Sequence, residues 1–233
     1  KRTLDVIIPD TVTTIAEGAF FKCKKLHSVV IPNSVTHIGD QAFHSCHSLT
    51  SVTIPNSVTY IGEAAFSDCY GLTSITIPNS VTKIGEDAFD GCTTLQSIVM
   101  TDSVTEIKDG AFRNCTELLN IVIPDSVTTV GRYAFDNCSS LKSAYIGHNA
   151  ENIGEYAFSD CVALTDVEII GDITLRFFAK QKYKAIIKNL AVKHGGDLQI
   201  ISGFHFKKAL DILKKRSFLL FGVLMLLILT IKL

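Results

Sequence analysis

Seven cysteines recur along the chain at a fixed interval of 23 residues, and this repeat limits the possible architectures more sharply than any other feature. A phenylalanine and a leucine keep the same interval. The three columns are Cys23, Cys46, Cys69, Cys92, Cys115, Cys138 and Cys161; Phe20, Phe43, Phe66, Phe89, Phe112, Phe135 and Phe158; and Leu26, Leu49, Leu72, Leu95, Leu118, Leu141 and Leu164. Such a period is typical of a solenoid, in which each coil buries its apolar face against its neighbours.

One repeat, read from Leu49, is LTSVTIPNSVTYIGEAAFSDCYG. Val52 and Ile54 alternate with Ser51 and Thr53, and this period of two predicts a short strand with one face in the core. Pro55 ends that strand, because proline cannot donate to a ladder of hydrogen bonds. We therefore expect one short parallel strand per repeat.

The second half of the repeat has a different pattern. Val58 and Ile61 point inward again over an extended or turn segment, and Gly62 allows a backbone conformation that other residues resist. The residues 63–66, Glu-Ala-Ala-Phe, predict a single helical turn, whose inner face carries Phe66 and, three residues on, Cys69.

The pattern L-x-x-V-x-I-P-x-S-V-x-x-I-G-x-x-A-F-x-x-C resembles the BspA-type, or treponemal-type, leucine-rich repeat from Thr3 to about Ile170. Beyond residue 170, apolar residues that recur at intervals of three and four, such as Leu175, Phe178 and Ala179, predict a C-terminal helical tail. With the strand and turn patterns above, we expect an α/β repeat solenoid with a short parallel strand and a short helical turn in each of seven repeats and a closing strand. The resemblance implies that this solenoid is curved and right-handed. It also implies surface proteins of mucosal bacteria and protists that bind host matrix proteins or other cells, without catalysis or a cofactor. The departures are Met100-Thr101 and Ile146-Gly147 in place of Ile-Pro, Lys108 and Ala16 in place of glycine, and the loss of the pattern after Ile170.

The charges divide the chain near residue 170. Residues 1–170 carry 10 Lys and Arg against 20 Asp and Glu, whereas residues 171–233 carry 12 against 3. The repeats therefore lack the clustered cations that a nucleic-acid surface needs, and we expect no nucleic-acid partner. This boundary predicts three parts: a solenoid over 1–170, a basic helical capping segment over 171–216, and an apolar C-terminal segment over 217–233.

The two C-terminal segments leave the location of the protein open. A packed cap over 171–216 competes with a membrane-surface or calmodulin-like helix. The segment 217–231 is a candidate membrane anchor, or else a buried end, since its almost entirely apolar 14-residue run, 218–231, spans about 21 Å as a helix against about 30 Å of hydrocarbon. The flanking lysines favour the cytoplasmic face of a membrane, but the resemblance favours the cell surface or secretion, which we expect first.

Three columns or clusters invite a metal or redox interpretation. We expect each cysteine to fill a small inward slot and to hydrogen bond to a neighbouring carbonyl, because one thiol per coil makes a line and not a tetrahedral cluster. The acid column has the alternatives of a calcium ladder and solvent-facing carboxylates, and the spacing favours the second. The histidines of the second repeat have the alternatives of a zinc or nickel site and solvent-facing loop residues. The acids are Glu17, Asp40, Glu63, Glu86, Asp109 and Glu155, and the histidines are His27, His37, His44 and His47.

Candidate functional residues come from the strands. No nucleophile elbow, phosphate loop or paired-histidine motif occurs in the sequence, so we expect a protein that is not an enzyme, with no cofactor and no metal. Strand alternation sends two columns of side chains outward, and a flat surface of small residues suits a protein or glycan partner. Tyr145 is the expected exposed aromatic anchor. The alternative is that such residues simply suit an exposed strand. The predicted binding residues are Ser51, Thr53, Ser74, Thr76, Ser97, Val99, Asn120, Val122, Ser143 and Tyr145.

Overall fold

The computed structural model describes residues 3–169, which form a stack of about seven coils. The helical cap expected over 171–216 and the apolar segment 217–233 lie outside the described residues. Each coil opens with a strand whose alternate side chains enter the core, as the sequence predicts. These strands are β1 (Leu4–Ile7), β3 (Leu26–Val30), β5 (Ser51–Thr53), β7 (Ser74–Thr76), β9 (Ser97–Val99), β11 (Asn120–Ile123), β13 (Ser143–Ile146) and β15 (Asp166–Ile169).

Each full coil contains a second, two-residue strand, so the expectation of one strand per repeat is wrong. These strands form one continuous parallel sheet of seven, whereas the first strands pair as β1-β3-β5, β7-β9 and β11-β13-β15. The expected inward positions Val58 and Ile61 are fully buried, with Ile61 in the second strand. These strands are β2 (Thr14–Ile15), β4 (His37–Ile38), β6 (Tyr60–Ile61), β8 (Lys83–Ile84), β10 (Glu106–Ile107), β12 (Thr129–Val130) and β14 (Asn152–Ile153).

The phenylalanine column runs through the core as predicted. Adjacent rings lie nearly parallel with centroids 5.0 to 5.4 Å apart from Phe20 to Phe158. Phe43 to Phe158 are buried and Phe20 is half-buried. The ring spacing matches the distance between neighbouring strands of a sheet, so every coil repeats the packing of the one before.

The segment expected to form a helical turn forms consecutive tight turns instead, and residues 3–169 contain no helix. Main-chain N–H groups alternate between two acceptors: Ala65 donates to the carbonyl of Gly62 in its own coil, and Phe66 donates to the carbonyl of Ala88 in the next. Ala64 and Asp68 make the same donation to the next coil. A helix cannot form because these N–H groups bond between coils and not four residues back.

Two positions in every coil have a left-handed backbone, with φ between 50° and 72°. The first column mixes residue types, whereas the second is rich in glycine, asparagine and aspartate, which accept this conformation readily. The first is Gly18, Gln41, Ala64, Asp87, Gly110, Tyr133 and Tyr156, and the second is Lys22, Ser45, Asp68, Gly91, Asn114, Asn137 and Asp160.

Gly62 is required by close packing and not by an unusual dihedral angle, which corrects the expectation from the sequence. Its φ lies outside the left-handed region, and a Cβ added there would lie 2.6 Å from the backbone nitrogen of Asp40 in the preceding coil. Gly39 is enclosed in the same way by the backbone nitrogen of Glu17 at 2.7 Å. The glycine column therefore lets successive coils approach at this corner.

Candidate functional site

The outward side chains of the first strands form a flat surface, here called the sheet face. Strand register aligns Ser74 with Ser97 and Thr76 with Val99 in one group, and Asn120 with Ser143 and Val122 with Tyr145 in another. The residues between them, such as Ile98 and Ile121, are buried. The alternation predicted from the sequence therefore places all the predicted binding residues on this face. They are Ser51, Thr53, Ser74, Thr76, Ser97, Val99, Asn120 and Val122, all exposed, and Ser143 and Tyr145, both half-buried.

Tyr145 differs from the expectation of an exposed anchor. It lies in β13, which is flanked by β11 and β15, and its side chain is half-buried. Ser143 on the same strand donates a hydrogen bond of 2.7 Å to Oδ1 of Asn120. The side chains of Ser143 and Asn120 thus already have a hydrogen-bond partner within the array.

Exposed apolar groups also occur on the later coils of the face, and the sequence pattern did not identify them as a cluster. Val99 and Val122 are 54% and 58% exposed, and Leu119, directly before β11, is 39% exposed. An open recess of about 500 Å³ is lined by Asn79 and the segment 100–103, which directly follows Val99 in the chain. The recess occurs where Met100-Thr101 replaces the usual Ile-Pro, which was the only sequence signal for it.

The cysteine column has the structural role expected of it. Each thiol from Cys46 to Cys161 donates to the carbonyl of a phenylalanine in the preceding coil, with S to O distances of 3.1 to 3.4 Å. All seven cysteines are free. Burial raises the pKa of the Cys46 thiol to about 12 and that of Cys92 still further. A thiol that stays protonated is a poor nucleophile and a poor metal ligand.

Two members of the acid column bond to the backbone of the next coil, whereas Glu17, Glu63 and Glu86 are exposed, as expected. Oδ1 of Asp40 accepts the N–H of Glu63 at 2.9 Å, and Oδ1 of Asp109 accepts the N–H of Arg132 at 2.7 Å. These carboxylates therefore join successive coils. The calcium alternative requires converging oxygens, and within residues 3–169 no group of three or more histidine, cysteine or acidic residues could hold a metal ion.

The four histidines of the second repeat do not converge. His44 stacks on Phe21 with centroids 5.2 Å apart, and His47 stacks on Tyr70 at 4.6 Å. His37 lies 6.1 Å from the ring of Tyr60, and Nδ1 of His27 lies 3.3 Å from the carbonyl of Ser48. The zinc or nickel alternative has no support here, because each ring faces a different neighbour.

Negative charge dominates the described array, with 8 Lys and Arg against 20 Asp and Glu in residues 3–169. Arg113 is held by Asp90, with N to O distances of 2.9 and 3.2 Å. Desolvation by burial raises the pKa of Asp87, which lies 3.6 Å from the same guanidinium. The surface of the array therefore presents a negative electrostatic potential to any partner.

This arrangement of stacked parallel strands, buried leucines and tight turns defines a leucine-rich repeat solenoid. The family model for the BspA type leucine rich repeat region matches six copies over residues 2–119, 59–184 and 105–215. The chain belongs to the BspA-type leucine-rich repeat family, so the resemblance noted from the sequence is confirmed.

Solved structures extend this comparison. A leucine-rich repeat protein of T. pallidum is 32% identical, with a TM-score of 0.65 over 70% of this chain and 78% of that one. A leucine-rich cell surface protein of Faecalibacterium prausnitzii is 30% identical, with a TM-score of 0.52 over 72% of this chain and 60% of that one. The pneumococcal vaccine antigen PcpA, 20% identical with a TM-score of 0.51 over 73% of this chain and 62% of that one, shares the fold. A comparison with curated proteins finds no match.

These relatives are leucine-rich repeat proteins, a class that typically mediates protein interactions and is generally not enzymatic. One of them is described as a cell surface protein. Within residues 3–169 no helix is long and apolar enough to cross a membrane.

Proposed function

We propose that this protein is a non-catalytic adhesion or cell-interaction protein that binds a partner protein or a glycan through the sheet face. The observation that carries the proposal is the sheet face itself, where small exposed side chains such as Ser74 and Thr76 leave the strands accessible along the array. A repetitive, rigid and extended surface of this kind suits a large partner, because contacts can be spread over several coils.

We further propose display at the cell surface or secretion, with a host matrix protein, a cell-surface protein or a glycan as the partner. The 30% identity to a leucine-rich cell surface protein of Faecalibacterium prausnitzii supports this location. A second candidate is a leucine-rich repeat scaffold on the cytoplasmic face of a membrane. The charge of residues 171–233 supports it, since they carry 12 Lys and Arg against 3 Asp and Glu. The apolar residues 217–231 would then anchor it in the membrane, and the basic residues of 171–216 would meet anionic lipid.

Proteolysis of intact cells that produce the full-length protein separates these locations. Cleavage of the repeats without permeabilisation is the result expected for surface display. Complete protection until the cells are permeabilised would overturn surface display and favour the scaffold. A cytoplasmic protein probed in parallel checks that the cells stayed intact.

The double variant Ser74→Arg/Ser97→Arg tests the binding surface. Binding to a panel of purified matrix proteins and to a glycan array should be lost, because two arginines would cover the middle of the face. The melting temperature should change little, since both serines are exposed. The matched control is Glu63→Arg, because Glu63 is an exposed turn residue outside the sheet face. Binding that persists in the double variant would move the site off this face.

A further inference from the structure

One outward column of the sheet face changes its chemistry along the array. Thr53 and Thr76 occupy it in the earlier coils, whereas Val99 and Val122 occupy it in the later ones. More than half of each valine is exposed, and exposed Leu119 directly precedes β11. Valine and threonine both suit an exposed strand and neither adds core packing here, so neither strand propensity nor burial explains the change from threonine to valine.

The structure around these valines is also irregular. Strand pairing of the sheet is interrupted between β9, which ends at Val99, and β11, which contains Val122, as it also is between β5 and β7. Met100, next in the chain, is half-buried and lines the recess with Thr101 and Asp102. The recess thus begins at the residue that follows Val99 in the chain, and one or two side chains of a partner can enter it.

Acidic groups border this apolar surface. Asp102 lines the recess and is exposed. Glu117 is exposed and accepts a hydrogen bond from the neutral amide of Gln96 at 3.1 Å, which leaves its charge uncompensated. Asp125 faces His148 at 2.9 Å, and Lys142, whose N–H donates to the carbonyl of Leu119, is the exposed cation on this side.

A second apolar stretch of the same face provides an internal comparison. Val30, 55% exposed, and Ile7 occupy the same column in the first coils. Exposed Lys24 and Lys25 precede that strand. The two apolar ends therefore differ in the charge of the residues that border them.

We propose that Val99, Val122 and Leu119, together with the recess at Met100, form the docking surface for a protein segment whose apolar side chains are flanked by lysine or arginine. This inference rests on the proposed function of the sheet face and names the chemistry of its partner. Apolar burial supplies the affinity, and the acidic border selects basic partners over acidic ones.

Fluorescence anisotropy with labelled 12-residue peptides tests the inference on the full chain. One peptide alternates valine and lysine, one alternates valine and glutamate, and one alternates serine and lysine. The double variant Val99→Thr/Val122→Thr restores the residue that the same column carries at Thr53 and Thr76, so it is compatible with the fold. Val30→Thr is the matched control, and both variants keep the net charge.

The valine-lysine peptide should bind the wild-type protein and Val30→Thr with equal affinity. It should bind Val99→Thr/Val122→Thr about tenfold more weakly. The other two peptides should bind at least about tenfold more weakly than the first. Equal binding of the valine-lysine peptide to the double variant, or of the valine-glutamate peptide to the wild type, would overturn the inference.

The two proposals fail separately. A natural protein ligand that is lost in Ser74→Arg/Ser97→Arg but retained in Val99→Thr/Val122→Thr would overturn this inference and leave the proposed function standing. A ligand that is retained in both double variants would overturn both.

Discussion

Each inner phenylalanine stacks on an equivalent ring on both sides, so the loss of one ring opens a cavity that neither neighbour can fill. Phe89→Ala, in the middle of the column, should lower the free energy of unfolding by about 3 to 5 kcal/mol. Denaturant unfolding monitored by circular dichroism measures it. Phe89→Leu should cost less, and an unchanged midpoint for the alanine variant would contradict the inward assignment.

The left-handed positions predict a stabilising change. Gln41 is exposed and has φ of 54°, which a side chain with a Cβ tolerates poorly. Gln41→Gly should therefore raise the free energy of unfolding by up to about 1 kcal/mol. The reciprocal control is Gly18→Ala at the same place in its coil, where an added Cβ has ordinary contacts, 3.7 Å from Phe21, and should be destabilising through the backbone alone. A loss of stability in Gln41→Gly would refute the strain argument.

Sequence reasoning at single residues succeeded where burial decides the residue type and failed where backbone geometry does. The inward Phe66, Cys69 and Ile61 follow from the period alone. The left-handed conformation of Ala64 and Tyr133 does not, because neither residue type favours it. The second left-handed column carries a usable signal in Asp, Asn and Gly, which becomes visible only when the repeats are aligned.

At the level of the strands, the sequence predicted the first strand of each coil and its end at proline. It missed the second strand because two residues are too few for alternation, and Val58 and Ile61 are three apart. The helical turn was expected from the apolar spacing of three, which tight turns also satisfy. What the single repeat could not reveal is that its turn N–H groups bond to the next coil.

The cysteine column predicts sensitivity to alkaline pH. Burial raises the pKa of Cys46 from 9.0 to about 12, so between these values the unfolded chain loses a proton that the folded chain keeps. The stabilisation from the protonated thiol is fully present below pH 9. As the pH rises from 9 towards 12, the free energy of unfolding therefore decreases by about 1.4 kcal/mol per pH unit for each such thiol. Urea unfolding at pH 8, 9 and 10 measures the slope. Cys46→Ala should make it shallower, and a slope independent of this thiol would contradict the assignment.

In the array as a whole, each coil is stabilised only by its immediate neighbours, so protection should vary along the stack. Phe20 is half-buried in the first coil, whereas Phe66 and Phe89 are completely buried in the middle. Native-state hydrogen exchange should be faster in peptides that contain Phe20 than in peptides that contain Phe89. Uniform protection along the array would show instead that the coils open only together.

The candidate site belongs to this same scale, because no single repeat contains it. Alternation predicted the two outward columns, but the apolar stretch at Val99 and Val122 needs several coils in register. The recess was not predictable, since Met100-Thr101 reads in the sequence only as a departure from the consensus. The sequence therefore predicted which residues share the face, and their role in binding stays a prediction that the arginine and threonine variants test.

In the turns that carry the phenylalanines, residues 63–68 and their equivalents, the main-chain hydrogen bonds between coils all point the same way, and this makes that turn column an electrically polarised edge. The earlier coil always donates: Phe43 to Ala65, Phe66 to Ala88 and Phe89 to Ala111. Aligned peptide dipoles add, so carbonyls accumulate negative partial charge toward the first coil and N–H groups positive charge toward the last. The side chains follow this polarity, since the exposed lysines of the turns, including Lys22, cluster in the first coil and exposed Asp160 lies in the last.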